Sequence, residues 1–432
     1  CAGGGGLGAV CGAGLVCNAQ RQTRENGKLM FPFTALDIMN TSFFQSKKWQ
    51  LDPASMYPEL HRKRVIDVGG VKYLSRYEDV ATLLHHPDIS NMLGSPEGTP
   101  LRESMLQQDP PAHGRIRSTT GAALNKQPIQ KLRSDIDTFA EALFVGLRPK
   151  GEVEFVSEVA QQLPLFSLRS LFSLTVAEIE HLSAQVKNFV ARGSSNLPES
   201  QIHEAQFRDL SAIRTFFREA IRRREQNSSP DLLMALIDSA RQGELSEPEL
   251  LDMCLILTIG GVETTSTAMS SVLLLLHQQP ALRTAVQSDV SLLPSIIEET
   301  LRLESPIKLT SQRRSTADVK INDLSFPAGT AFVGLIGVAN RDPDVFDQPD
   351  ALDIMRKGKP HLGFGYGVHY CAGSHFARLQ IQVALERMFA ECPSWRLTPR
   401  PRWRRLLGQT DWDWSPNPLV RGLEKLHVVW DV

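Results

Sequence analysis

The stretch LSEPELLDMCLILTIGGVETTSTAMSSVLLLLHQQP, Leu245 to Pro280, constrains the fold more than any other part of the chain. Ser246 and Glu249 have the spacing of a capping box, Pro248 falls in the first turn, and Pro280 stands just past the end. The pattern predicts a helix of about 30 residues, about 45 Å long at 1.5 Å per residue. Between Cys254 and Leu276 the only charge is Glu263. A membrane span would place that carboxylate near the bilayer centre at about 2.5–3.5 kcal/mol, and Gly, Ser and Thr interrupt the apolar run. A buried central helix is the better expectation.

The middle of this helix breaks helix rules. Gly260 and Gly261 each cost up to about 1 kcal/mol relative to alanine. Thr264 and Thr265 are β-branched, with hydroxyls able to bond back to the preceding turn. Two accounts fit. The segment is a kink where another helix packs closely, or it is a polar notch against a flat ligand, with groups able to pass protons.

The remaining sequence is that of a soluble globular protein, 42% hydrophobic and 22% charged over 432 residues. That length suits two or three domains or one unusually large one. A net charge of −1 gives no global field for nucleic acid or an anionic membrane. Six cysteines, at 1, 11, 17, 254, 371 and 392, show no pairing rhythm and no C-x-x-C. They imply a reducing, cytoplasmic setting without a disulfide framework or zinc site. The leader CAGGGGLGAVCGAGLVC lacks a basic n-region, so a signal peptide is not expected, and its glycine content argues against a membrane helix. GGGGLG resembles a dinucleotide fingerprint only superficially, because no strand precedes it. Residues 1–42 are expected to form a leader and N-terminal extension, and residues 43–432 a single domain.

Short strands are expected around a Gly69-Gly70 hairpin turn. A helix should follow, with Ser75 and Glu78 as a capping box. Asp109-Pro110-Pro111 looks like a helix start. From about 128 to 280 the periodicity is mostly helical, and Arg222 to Glu225 looks like a solvated helix end. Strands return at ADVKINDLSFPAGTAFVG and in the tail LVRGLEKLHVVW. The fold class expected is mainly α with small β-sheets, without an interior break.

A second stretch, HLGFGYGVHYCAGSHFARLQ, surrounds Cys371 with glycines just before a helix. A thiolate that binds metal needs its charge stabilised without protonation. Backbone N–H groups aimed at sulfur do this, and glycines let the backbone turn close to it. Gly365, Gly367 and Gly373 stand at suitable offsets, Phe364 can shield the sulfur, and His369 can reach an anionic ligand edge.

FGYGVHYCAG resembles the haem-binding signature of the cytochromes P450, F-x-x-G-x-H/R-x-C-x-G, at every fixed position: Phe364, Gly367, His369, Cys371 and Gly373. GGVETT, Gly260 to Thr265, is similar to the family's central-helix motif. ETLR, Glu299 to Arg302, matches its E-x-x-R, and DPPAHGRIR, Asp109 to Arg117, resembles its propionate-binding helix. The resemblance spans about residues 43 to 432 and implies the cytochrome P450 fold, with haem between the central helix and the cysteine loop.

It further implies haem b with Cys371 as axial thiolate and His113, Arg117, Arg313 and His369 as propionate ligands. Arg314, beside Arg313, leaves that assignment open. Gly260 and Gly261 would leave room for O₂. Thr264 would hold water or the oxygen ligand, and Glu263 would supply protons. Glu299 and Arg302 resemble a buried ion pair that braces the Cys371 loop. Ala351 and Leu352 stand where a third, arginine-bearing member would be expected, leaving Arg356 or His361 to substitute.

Thiolate-ligated haem implies a monooxygenase acting on a small hydrophobic substrate, plausibly a natural-product intermediate. NAD(P)H electrons would arrive indirectly, through a ferredoxin or flavodoxin docked near Arg115, Lys357, Lys359 and Arg378. Nucleic acid and stable membrane insertion are not expected, and a monomer is. Pocket segments implied are residues 91–108, Ile256, Ile259, Lys308 to Thr310, and Asn417 to Val420. Lys308 would pair with an acidic substrate or point to water. A peroxide-driven peroxygenase, a coupling or cyclising oxidase, and a non-catalytic haem sensor or carrier are the alternatives.

Overall fold

The central helix runs from Glu247 to Gln278, with the expected capping box: Ser246 accepts from Glu249 N–H, and the Glu249 side chain from Ser246 N–H. The computed structural model describes residues 46–94, 101–121, 126–192, 199–226, 231–398, 412–415, 417 and 420–432. The glycine-rich leader lies outside the described residues. Among them, this helix is the one long and apolar enough to cross a membrane, and 67% of its most apolar window is buried in protein. Its apolar residues are spent on contacts with neighbouring elements, as a core helix requires.

Two apolar cores grip the helix at different heights. Leu250 to Leu255 pack with the helices Val176–Arg192, Glu199–Gln226 and Leu232–Arg241. Ala268 to Leu276 pack with Lys126–Leu147, Leu293–Leu303 and Ser374–Glu391. Gly260 to Thr264 fall between the strongest parts of the two cores, so the helix-weakening residues sit where packing asks least of them.

The β structure gathers beside this helical body. A five-stranded sheet has the order Val65–Val68, Val71–Leu74, Ala331–Gly334, Arg313–Ser315, Ile89–Ser90. Only Val71–Leu74 and Ala331–Gly334 pair in parallel. The first two strands form the expected hairpin, with Gly69 and Gly70 at φ +59° and +86°. Strand Arg313–Ser315 matters for the site, because register alternation sends Arg313 inward and Arg314 outward.

Two local expectations are overturned by tertiary contacts. Ser75 does not cap its helix; it is fully buried and donates to Leu60 O (2.8 Å) and Arg64 O (3.1 Å), and the helix Tyr77–His85 starts without a side-chain cap. Carbonyls at the end of the helix Tyr57–Lys63, each already accepting one backbone N–H, take the hydroxyl as a second donor. The basic run near Arg222 is likewise not simply solvated. Arg223 pairs with Glu178 at 2.5 Å, and Arg224 joins Asp231 (2.6 Å) and Phe172 O (3.0 Å).

Candidate active site

The Cys371 loop is shaped by two left-handed glycines. Gly365 and Gly367 have φ +75° and +70°. A Cβ on Gly367 would lie 2.8 Å from His85 Cβ and 3.0 Å from Leu84 O, so conformation and space both demand glycine. Cys371 N–H donates to Phe364 O at 2.8 Å, closing the turn. The Gly373 N–H reaches the sulfur and favours the thiolate, as do Arg117 and Arg378 at longer range. The dense protein around Cys371 outweighs them and raises the thiol above its ordinary value, although the residue borders open space. Metal binding would expel that proton, because the metal itself supplies the missing positive charge.

Above the loop, donors converge, and two of their nitrogens lack an acceptor among the described residues. His113 lies on the helix Ala112–Gly121, which begins after Asp109 as expected, with His113 N–H bonded to Asp109 O at 2.9 Å. Its ring stands 4.3 Å from that of His369. His113 is 3% exposed and its Nε2 has no partner; Arg313 is 5% exposed and its Nε has none. Burial lowers the His113 pKa, and Arg117 adds to the shift. Burial, then Arg313 and His113, push His369 down to about 3. Burial also brings Arg313 down to about 10, against the pull of Asp109. Arg117 donates to Tyr370 O at 2.7 Å, tying this helix to the residue before Cys371. Arg314 points elsewhere, to Gly329 O at 2.8 Å.

The third wall is the central-helix notch. Gly260 is exposed although it lies mid-helix in the protein interior, and a Cβ on either Gly260 or Gly261 would meet nothing within 4 Å. A Cβ on Gly373 would likewise meet nothing within 4 Å. These three glycines are required neither by a positive φ nor by protein packing. Thr264 Oγ1 donates to Gly260 O at 2.6 Å, the predicted back-bond. Glu263 faces the other flank, where it lines a cavity of about 500 Å³ with Lys187, Thr267, Asn417 and Val420. Burial raises its pKa, with Lys187 opposing. Of the expected pocket segments, Asn417 and Val420 line this cavity, whereas Lys308 is 2% exposed and is not part of its lining.

These residues fit an iron porphyrin. One accessible cysteine sulfur, a space bordered by glycines, and buried imidazole and guanidinium nitrogens lacking acceptors match a flat metal ligand with carboxylate edges.

Behind the loop lies a brace in which every partner is present. Arg302 meets both Glu299 oxygens, at 2.8 and 2.9 Å, and donates to Asn340 O, Pro349 O and Ala351 O. Arg356 supplies the third member at 3.2 Å from Glu299, so the missing arginine at Ala351 is made good five residues later. His361 pairs instead with Glu298 (3.3 Å). Burial would raise the Glu299 pKa, but Arg302, the Asp353 N–H and Arg356 hold it below the usual range. A parallel pair escaped sequence reasoning: Glu298 holds Arg378 at 2.6 and 2.8 Å, and Arg378 lies 4.4 Å over the Phe364 ring. Adjacent glutamates give no sign that each serves a different arginine.

Cytochrome P450 is the family whose model matches residues 169–400. The chain is 32% identical over 385 residues to cytochrome P450 107B1 of Saccharopolyspora erythraea, covering 85% of this chain and 91% of that one. The chain belongs to the cytochrome P450 family. It is 29% identical over 366 residues to the mycinamicin IV hydroxylase/epoxidase of Micromonospora griseorubida, covering 83% of this chain and 89% of that protein. The crystal structure of P450BioI with hexadec-9Z-enoic acid-ligated acyl carrier protein superposes with a TM-score of 0.81 at 26% identity, over 89% of this chain and all of that one. The chain is thus a bacterial-type cytochrome P450 and an oxidoreductase, a monooxygenase using haem-thiolate iron and O₂, with a redox partner and a hydrophobic substrate.

The expected basic docking face of this P450 is largely neutralised. Arg115 pairs with Glu249 (2.6 Å), Arg378 with Glu298, and Lys359 with Glu78. Lys357 remains exposed. Acids from other helices sit beside the cations, which a one-dimensional reading of charge does not reveal.

Proposed function

We propose that this P450 hydroxylates or epoxidises a small hydrophobic natural-product intermediate, and that Cys371 would supply the thiolate that holds the haem iron. His113, Arg117, Arg313 and His369 would hold the two propionates. The observation that carries this reading is the pair of buried, unpartnered nitrogens, His113 Nε2 and Arg313 Nε, beside an accessible Cys371. A buried donor without an acceptor costs about 1–3 kcal/mol, which a bound carboxylate returns.

Bound haem supplies oxygen activation, with electron density donated through the thiolate. The chain supplies the protons and the geometry. Thr264 has committed its hydroxyl proton to Gly260 O, so Oγ1 offers only lone pairs. It therefore accepts a hydrogen bond and holds an O–H group in the notch. Glu263, whose carboxyl retains its proton to higher pH than an ordinary glutamate, delivers protons from the 500 Å³ cavity on the other flank. Gly260 and Gly261 leave space at the notch, and apolar walls would fix which carbon of the substrate reacts.

Electrons come from NAD(P)H through a separate ferredoxin or flavodoxin, and the protein works as a cytoplasmic monomer. The acid–threonine pair favours this reading over a peroxide-driven one. The test is coupling. Thr264→Ala should retain haem and substrate binding but divert electrons to hydrogen peroxide, with product per NAD(P)H falling about tenfold or more. Unchanged coupling would overturn the role given to Thr264.

A further inference from the structure

Lys308 is 2% exposed, and its ammonium nitrogen stands 5.4 Å from the centroid of the Trp49 ring. No hydrogen bond or ion pair holds it among the described residues. It belongs to a buried, cation-rich cluster. Glu304 already serves two arginines, Arg341 at 3.1 Å and Arg421 at 3.1 Å. Arg421 also donates to Gln50 O (2.7 Å), so it latches the N-terminal helix Lys47–Leu51 from the other side. The backbone just before Lys308 is tied to the cavity wall: Ile307 pairs with Val420, Arg421 N–H donates to Pro306 O at 2.8 Å, and Val420 lines the 500 Å³ cavity.

We propose that Lys308 is a pH-sensitive latch: as a neutral amine it seats the Trp49 segment against the Ile307–Val420 bridge, and proton uptake releases that segment from the cavity wall. The physical reason is charge count. A protonated Lys308 would be the third cation around the half-buried Glu304; Asp350, held by Arg341 at 2.9 Å, is exposed, and the group that faces the ammonium is an aromatic ring. A cation–π contact is worth about 0.5–2 kcal/mol and does not offset that crowding.

The surrounding titratable groups leave Lys308 as the switch. They are Glu304 just past the helix Leu293–Leu303, Arg421 after the turn, Arg341 beyond Ile336–Ala339, and Tyr57 and His61 on the helix Tyr57–Lys63. Burial pushes Tyr57 up to about 12, and burial lowers His61, which is bonded to Val338 O at 2.9 Å. Neither titrates in the window that follows. Burial, and after it Arg421, bring Lys308 from 10.5 down to about 7 in the closed form, with Glu304 opposing. An opened segment returns Lys308 to water and toward 10.5. The open form therefore holds the extra proton between those values. Closure is strongest at alkaline pH, weakens as pH falls from about 10.5 to about 7, and is level below that, where both forms are charged. One proton shifts the equilibrium by up to about tenfold per pH unit within the window.

Hydrogen exchange of the full chain, followed by mass spectrometry from pH 6 to 9.5, tests this. The exchange rate of peptides spanning Lys47–Lys63 is divided by that of Lys308→Met at the same pH, which cancels intrinsic chemistry. The ratio should rise as pH drops from 9.5 to 7 and flatten below 7, while peptides of Leu293–Leu303 stay constant. A ratio independent of pH, or an equal rise in Leu293–Leu303, overturns the proposal. Should Lys308→Met fail to fold, wild-type protection factors in Lys47–Lys63, taken against unstructured-peptide rates, carry the same two outcomes.

Discussion

Two charged clusters flank the Cys371 loop and differ in one respect. In the brace of Glu299, Arg302 and Arg356, acids and bases meet within 3.2 Å and backbone carbonyls take the remaining donors. In the cluster of His113, Arg313 and His369, donors crowd together, and two of their buried nitrogens find no acceptor among the described residues. A satisfied network serves the fold; an unsatisfied one awaits a ligand. E-x-x-R and the stretch Asp109 to Arg117 are both short motifs of charged residues in sequence, and only their partners distinguish them.

Substitutions can break this contrast, and the largest effect belongs to neither cluster. Cys371→Ser should abolish the red-shifted absorption band of the reduced carbon monoxide complex; a persisting band would remove Cys371 as the ligand. Glu299→Gln should destabilise the protein by about 3–5 kcal/mol in urea unfolding, with or without haem, because two arginines lose their buried counter-charge. His113→Ala should behave oppositely. Haem affinity should fall by about 10–100-fold, the loss of one charge-assisted hydrogen bond, with little change in the haem-free protein. Equal losses in both forms would make His113 part of the brace.

The smallest effect sharpens the brace side. Burial raises the Glu298 pKa, but hydrogen bonds from Arg378 and His361 reverse this and bring it down to about 2. A depressed carboxylate contributes stability that is complete above its unfolded value of 4.5 and is lost as pH falls toward 2. The stability gap between wild type and Glu298→Gln should therefore be constant above about pH 5 and shrink below 4.5. A gap that persists unchanged at pH 3 would show that packing, not charge, carries it.

Much of this site was legible because its residues are close in sequence. The capping box of the central helix, the hairpin glycines, the Thr264 back-bond and the glycine frame of Cys371 depend on neighbours within a few positions. Ser75 shows the limit: its spacing to Glu78 satisfies a capping rule, yet two carbonyls from residues 60 and 64 claim its hydroxyl. The charge balance of the expected docking face was hidden for the same reason, since Arg115, Lys359 and Arg378 each pair with an acid from another helix, while Lys357 stays exposed.

By itself, the sequence determined the mainly helical class, the buried central helix, and the cysteine loop with its family. These rest on periodicity, caps and local backbone geometry, which act over one or two turns. Only the tertiary structure decided that Arg356 completes the brace, that Arg313 turns inward while Arg314 does not, that Glu298 serves Arg378, and that Lys308 is sealed beneath Trp49. Each of those outcomes depends on which distant charge or ring lies within a few ångströms, and electrostatic energy is set by that separation and by burial.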